Sequence, residues 1–175
     1  NGVAQSIWSL AALVGSAMGP VFITVIGQCM GAKDVDQAKF YFSKLIKWSL
    51  IFSIVWNVLV LAITPFILQF YNLAYETKHL IFILVIIHNI ANTVVFPLSG
   101  PLSQGLRATG DVKFTMIVSI ASTVGGRLVL SIILALKLNL GVIGIALAMC
   151  GDWTIRAIIF YYRYKSNAWT KFEVI

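Results

Sequence analysis

Five apolar runs, separated by short connections, dominate the 175 residues of this chain. They lie at about residues 3–30, 45–70, 79–103, 114–136 and 141–162. About 20 apolar residues in helical form cross the roughly 30 Å hydrocarbon core of a bilayer. Within that core backbone N–H and C=O groups find no water, so a spanning segment must be a helix or part of a closed barrel. Runs of this length predict helices, and the fold class is therefore an all-α integral membrane protein with five transmembrane helices.

Composition excludes the main competitors. Charged residues make up 11% of the chain and hydrophobic ones 59%, against about 25% and 45–50% in soluble domains. The net charge of +7 does not imply a nucleic-acid partner, because most of the basic residues sit at the ends of apolar runs and form no basic stripe. Cys29 and Cys150 lack metal-ligand spacing and read as buried thiols. No G-x-S-x-G, HExxH or P-loop pattern is present, so no catalytic residues are assigned and the metal content is open.

The basic residues set the orientation. Lys33, Lys39, Lys44, Lys47, Arg107, Lys113, Arg163, Lys165 and Lys171 fall at one set of helix ends, and only Lys78 and Lys137 at the other. The positive-inside rule makes the first set cytoplasmic. The expected product is a multi-pass protein of the plasma (inner) membrane, with its N-terminus outside and residues 163–175 as a cytoplasmic tail. Aromatic residues gather at both boundaries, with Tyr71 and Tyr75 outside and Phe40, Tyr41, Phe42, Tyr161, Tyr162 and Tyr164 inside.

Local signals near the connections are structural. Asp34 followed by Gln37 fits a capping pair, and Asp111 stands where it would cap the fourth span. Gly15 and Gly19 form a small-xxx-small pair before Pro20, which allows close approach of another helix.

Polar residues inside the spans are costly and point to function. At 100° per residue, His88, Asn92, Ser99 and Ser103 share one stripe of the third span, with Pro97 and Pro101 near its end. The stripe reads either as interhelical hydrogen bonding or as a cavity wall. In the fourth span Thr123, Arg127 and Ser131 recur at four-residue intervals. In the fifth, Asp152 and Arg156 are spaced for an i,i+4 pair, with Arg127 as a second candidate partner. That pair is either a charge site beside a cavity or a structural pair that locks the last two helices.

"GQCMGAKDVDQAK" closes the first span, "GLRATGDVKF" leads into the fourth, and "GVIGIALAMCGDWTIRA" forms most of the fifth. In this order and at these depths they resemble the multidrug and toxic compound extrusion (MATE) family. Gly27, Gln28 and Gly31 match its first turn motif, and Arg107, Ala108, Gly110 and Asp111 its second. The resemblance implies a twelve-helix transporter of two six-helix lobes, of which this chain looks like helices eight to twelve. It is then a C-terminal lobe lacking its first helix, and its principal partner is the missing N-terminal lobe. The family's activity is antiport, in which a Na⁺ or H⁺ gradient drives export of amphipathic, often cationic small molecules by alternating access. No cofactor beyond the coupling ion is implied.

Some family members carry an acidic ion-site residue in the third of these spans, but here His79 to Gly105 contains no Asp or Glu. Either Asp152, flanked by Arg127 and Arg156, contributes to coupling, or the ion site lies in the other lobe. His88, Asn92 and Ser99 are the cavity candidates. A flippase for lipid-linked saccharides and a structural membrane protein are the alternatives.

Overall fold

The computed structural model describes residues 2–70 and 74–172, and among these every regular element is helical. Five helices are long and apolar enough to cross a membrane: α1 (Gly2–Gly31), α2 (Val35–Gln69), α3 (Tyr75–Ala108), α4 (Val112–Lys137) and α5 (Gly141–Lys165). A short 3₁₀ turn, Ala168–Lys171, follows α5. The expected aromatic Tyr71 and the last three residues of the tail lie outside the described residues.

The helices outrun the apolar runs that predict them. The largest difference is in α2, which begins at Val35, about ten residues before the run at 45. Residues 33–44 read as a connection because of their charges, yet Ala38 and Phe42 are fully buried, so this stretch is a helix with one apolar face. Asp34 starts it, accepting the backbone N–H of Gln37 at 2.9 Å. Gln37 does not complete a reciprocal capping pair; its side-chain oxygen instead lies 3.7 Å from the Cys29 thiol.

Both family-like turns close their helices by the same backbone device. After α1, Lys33 N–H bonds to Met30 C=O and Asp34 N–H to Cys29 C=O, each at 3.0 Å. After α3, Gly110 N–H bonds to Arg107 C=O at 3.0 Å and Asp111 N–H to Leu106 C=O at 3.2 Å. These paired bonds define a Schellman motif, whose pivot residue must be left-handed. Gly110 supplies φ 93° at no steric cost, whereas the other turn places Lys33, not a glycine, at φ 58°.

Helices α1, α2 and α3 form a tight trio, with α5 laid against α3. Without hydrophobic gain in lipid, such packing depends on close contact. A Cβ on Gly15 would stand 2.7 Å from the Phe96 ring, and one on Gly19 2.5 Å from the Gln104 amide. The small-xxx-small pair is thus an α1–α3 contact. The α3 helix is interrupted at Gly100, between Pro97 and Pro101.

Three apolar layers stack along the bundle. Phe22, Phe42, Leu106, Phe160 and Trp169 hold the basic end together. Ile7, Val60, Leu84 and Ala146 hold the opposite end. Ala91, Met149 and Trp153 lie in a smaller cluster with Trp8 and Phe96 at its border. Phe42, expected in the interfacial belt, belongs to the first of these layers, where its ring lies 4.9 Å from that of Trp169.

The outlier is α4. It packs chiefly on α5, and only Thr115 and Ser122 along it are buried. Ile117, Ile120, Val124, Leu128, Ile132 and Leu136 are exposed along its length, as expected of a lipid-facing helix. It is also irregular: Ser122–Leu128 and Ile133–Lys137 are wound as π-helix. Such segments are rare and cluster at functional sites.

Candidate functional site

Consecutive residues of α5 face different neighbours. Asp152 points to α4 and is fully buried. The hydroxyl of Ser122, on the first π segment, donates to its Oδ1, and Arg156 Nη2 donates to its Oδ2 at 2.5 Å. Ser122 Oγ also lies 3.2 Å from the Asp152 carbonyl oxygen. A carboxylate in a medium of low dielectric is tolerated when paired and hydrogen-bonded in this way. Arg156 retains partial exposure, 20% of its side chain, but its Nε is buried without a protein partner.

This geometry corrects two expectations. The ion pair lies within α5 and so does not lock the last two helices; the link across the seam is the Ser122 hydroxyl. Nor is Arg127 a second partner of Asp152. The ion pairs among the described residues are Lys39–Asp36, Arg156–Asp152 and Arg163–Asp111, and Arg127 belongs to none of them. The stripe of Thr123, Arg127 and Ser131 assumed α-helical winding. Backbone closure at i→i+5 rotates side chains away from the α-helical lines, and it is Ser122 that faces inward while Thr123 is exposed.

Trp153 turns the other way, towards α1 and α3. Its ring stacks on Trp8 at 5.7 Å with an interplanar angle of 18°, and Phe96 meets it edge-on at 5.3 Å. His88 lies 5.8 Å from Trp8 between centroids. This aromatic cluster has no signature along the chain, because its residues come from three different spans.

Beside the cluster lies a cavity of about 200 Å³ between α1, α3, α4 and α5, lined by Gln5, Leu84, His88, Arg127, Ala146 and Met149 among others. His88 Nδ1 lies 2.8 Å from the Leu84 carbonyl, which can only accept, so Nδ1 carries the proton. Its Nε2 is buried with no protein partner.

The other cavity candidates are elsewhere. Asn92 is 1% exposed and neither its amide nitrogen nor its oxygen has a protein partner. Ser99 donates to Phe96 C=O at 3.2 Å and Ser103 to Gly100 C=O at 2.6 Å, so both are satisfied by their own helix where the prolines disturb it. Of the predicted stripe, His88 alone lines this cavity.

A second polar line runs along α2. On α2, Ser49, Ser53, Asn57 and Thr64 are all buried, and Ser49 Oγ, Ser53 Oγ and Asn57 Oδ1 lack protein partners. Its sequence signature is the four-residue steps in "SLIFSIVWN" (Ser49–Asn57), set within a run of uniform hydropathy. Ser53 approaches α1 next to Gly15, where a Cβ would lie 3.9 Å from its hydroxyl.

The turn residues are structural. Asp111 occupies the N-cap position of α4 but makes no cap bond. Its carboxylate accepts from Arg163 Nε at 2.7 Å and Nη2 at 3.3 Å, and this charge-assisted pair joins α5 to the α3–α4 turn. The expected cap is thus replaced by a tertiary ion pair. Arg107 Nε donates to Thr115 Oγ1 at 3.2 Å across the same turn. Gly27 and Gly31 have open space where a Cβ would be, and Gln28 is exposed. Cys29 and Cys150 are free thiols.

The fold is that of a polytopic helical membrane protein, and charges within its spans, such as the Asp152–Arg156 pair, commonly mark ion or substrate paths in such proteins. The MatE family model matches residues 1–133, and the chain belongs to that family. It is also similar to the uncharacterized transporter YisQ of Bacillus subtilis (strain 168), 27% identical over 169 residues. That alignment covers 94% of this chain and 36% of the relative, so the chain spans little more than a third of the relative's length. No solved structure matches.

Proposed function

We propose that this chain is one lobe of a secondary antiporter that exports amphipathic small molecules across the plasma membrane in exchange for Na⁺ or H⁺. The remaining lobe is its principal partner, and the basic end of the bundle faces the cytoplasm. The observation that carries this reading is the fully buried Asp152, held by Arg156 and by Ser122 at the seam between α5 and a π-wound helix. A charge of this kind costs about 2.5–3.5 kcal/mol to insert on biological scales. The carboxylate sits beside a π-wound segment, a rare irregularity often found at functional sites.

The aromatic cluster and the unpartnered groups on α2 and α3 support a polar path along the inner side of the lobe. A lipid-linked saccharide flippase would need several cations to hold a pyrophosphate. With Arg156 committed to Asp152, Arg127 is the one cation lining the cavity.

The test is transport by the complete protein in proteoliposomes under an imposed Na⁺ or H⁺ gradient, with ethidium and norfloxacin as probes. Gradient-driven uptake or efflux of either supports antiport. Movement of neither, with lipid-linked saccharide translocated instead, contradicts it.

A further inference from the structure

Arg127 is the one ionised side chain lining the four-helix cavity, and no carboxylate among the described residues pairs with it. Asp34, Asp36 and Asp111 lie at the basic end, Glu76 lies in the first turn of α3, and Asp152 is taken by Arg156 and Ser122. A cation at this depth is stable only with a counter-charge or water. Leu84, Val142 and Met149 supply apolar lining, and Gln5 is a further polar residue of it. His88 presents an unpartnered Nε2 lone pair, since its Nδ1 proton is committed to Leu84.

The geometry points to a subsite for the carboxylate head of an amphipathic acid. Arg127 takes the carboxylate through its paired N–H donors. Nε2 of His88, on the same lining, accepts an N–H or O–H of the same ligand. About 200 Å³ is less than the roughly 300–1,000 Å³ of a whole drug site. The cavity therefore receives only the head of the ligand, and the apolar body lies outside it. The positive charge of Arg127 favours an anionic head over a cationic one in this lining.

This inference rests on the transport reading above and narrows its substrate class at this site to acids and zwitterions. It is tested in the complete transporter by comparing norfloxacin with its ethyl ester, which removes the carboxylate and little else. The unmodified protein is expected to bind and transport the acid about ten- to a hundredfold better than the ester, the range a charge-assisted pair provides. Arg127→Gln is expected to reduce that ratio to about one, and Arg127→Lys to retain part of it. The comparison between probes in the unmodified protein stands even if Arg127→Gln fails to fold. Equal handling of acid and ester by the unmodified protein overturns the subsite and leaves antiport standing. Failure to move either compound under any gradient overturns both.

Discussion

The hydroxyl of Ser122 on α4 is bonded to the buried carboxylate of Asp152 on α5, and this bond joins the two helices across their seam. The partner of an intramembrane charge is thus a small neutral residue on a π-wound segment. If this bond holds α4 in register, Ser122→Ala is expected to cost about 1–3 kcal/mol, because it leaves one carboxylate oxygen buried without a donor. Ser122→Thr keeps the hydroxyl and should cost less. Thermal unfolding of the purified protein in detergent distinguishes them; an unshifted melting temperature for the alanine variant would remove the bond from the fold.

Arg156 and Asp152 form the buried pair of the α5 helix, and removing one partner differs from removing both. Arg156→Gln strands a fully buried carboxylate and is expected to destabilise by about 3–5 kcal/mol. Asp152→Asn combined with Arg156→Gln leaves two neutral amides and should be milder than Arg156→Gln alone. A double-mutant cycle on melting temperature or membrane yield reads this directly. Additive effects would mean that the two side chains do not depend on each other.

Two glycines should respond differently to the same methyl group. At Gly144 a Cβ would stand 2.7 Å from the backbone of Leu134, so α4 and α5 would have to separate. At Gly19 it would meet the far end of the flexible Gln104 side chain at 2.5 Å, which can swing aside. Gly144→Ala is expected to cost about 1–3 kcal/mol, and Gly19→Ala clearly less. Equal losses in thermal stability would show that Gln104 is as fixed as backbone.

The five spans were legible because a bilayer demands one thing, length of apolar helix, and the sequence states it directly. The i,i+4 spacing also placed Arg156 on Asp152 correctly, since both lie on regular helix. Ser122 was not legible because a π turn is a tertiary compromise with no local sequence rule, and the α-helical line pointed to Thr123. Asp111 was assigned to a cap because its position on the chain is a cap position. Its true partner, Arg163, lies 52 residues away. Arg127 is a candidate partner of Asp152 only as a charge in the neighbouring span, and that says nothing about which way its side chain faces. Family resemblance located the turns, but the left-handed residue of the first turn is Lys33 and not one of its glycines.

The end of the chain contributes to the core. Trp169 is fully buried against Phe42, and its indole N–H donates to the Tyr164 carbonyl at 3.1 Å. Trp169→Ala is expected to cost about 3–5 kcal/mol, as aromatic truncations in cores do, and to loosen the basic end of the bundle first. Hydrogen exchange at residues 36–46 and 160–168 would rise in that variant while the opposite end stays protected. Uniform exchange along the helices would contradict a local role.

The most direct test of the proposed antiport site is the transport rate of Asp152→Asn in the complete protein, measured per inserted molecule in proteoliposomes under a fixed ion gradient. Asparagine preserves the shape and most of the hydrogen bonding at the seam while removing the charge. If Asp152 is part of the coupling machinery, the variant inserts normally and gradient-driven transport falls at least about tenfold, equivalent to roughly 1.4 kcal/mol on the transport barrier. Unchanged gradient-driven transport by normally inserted protein would contradict it and leave Asp152 as a packing residue.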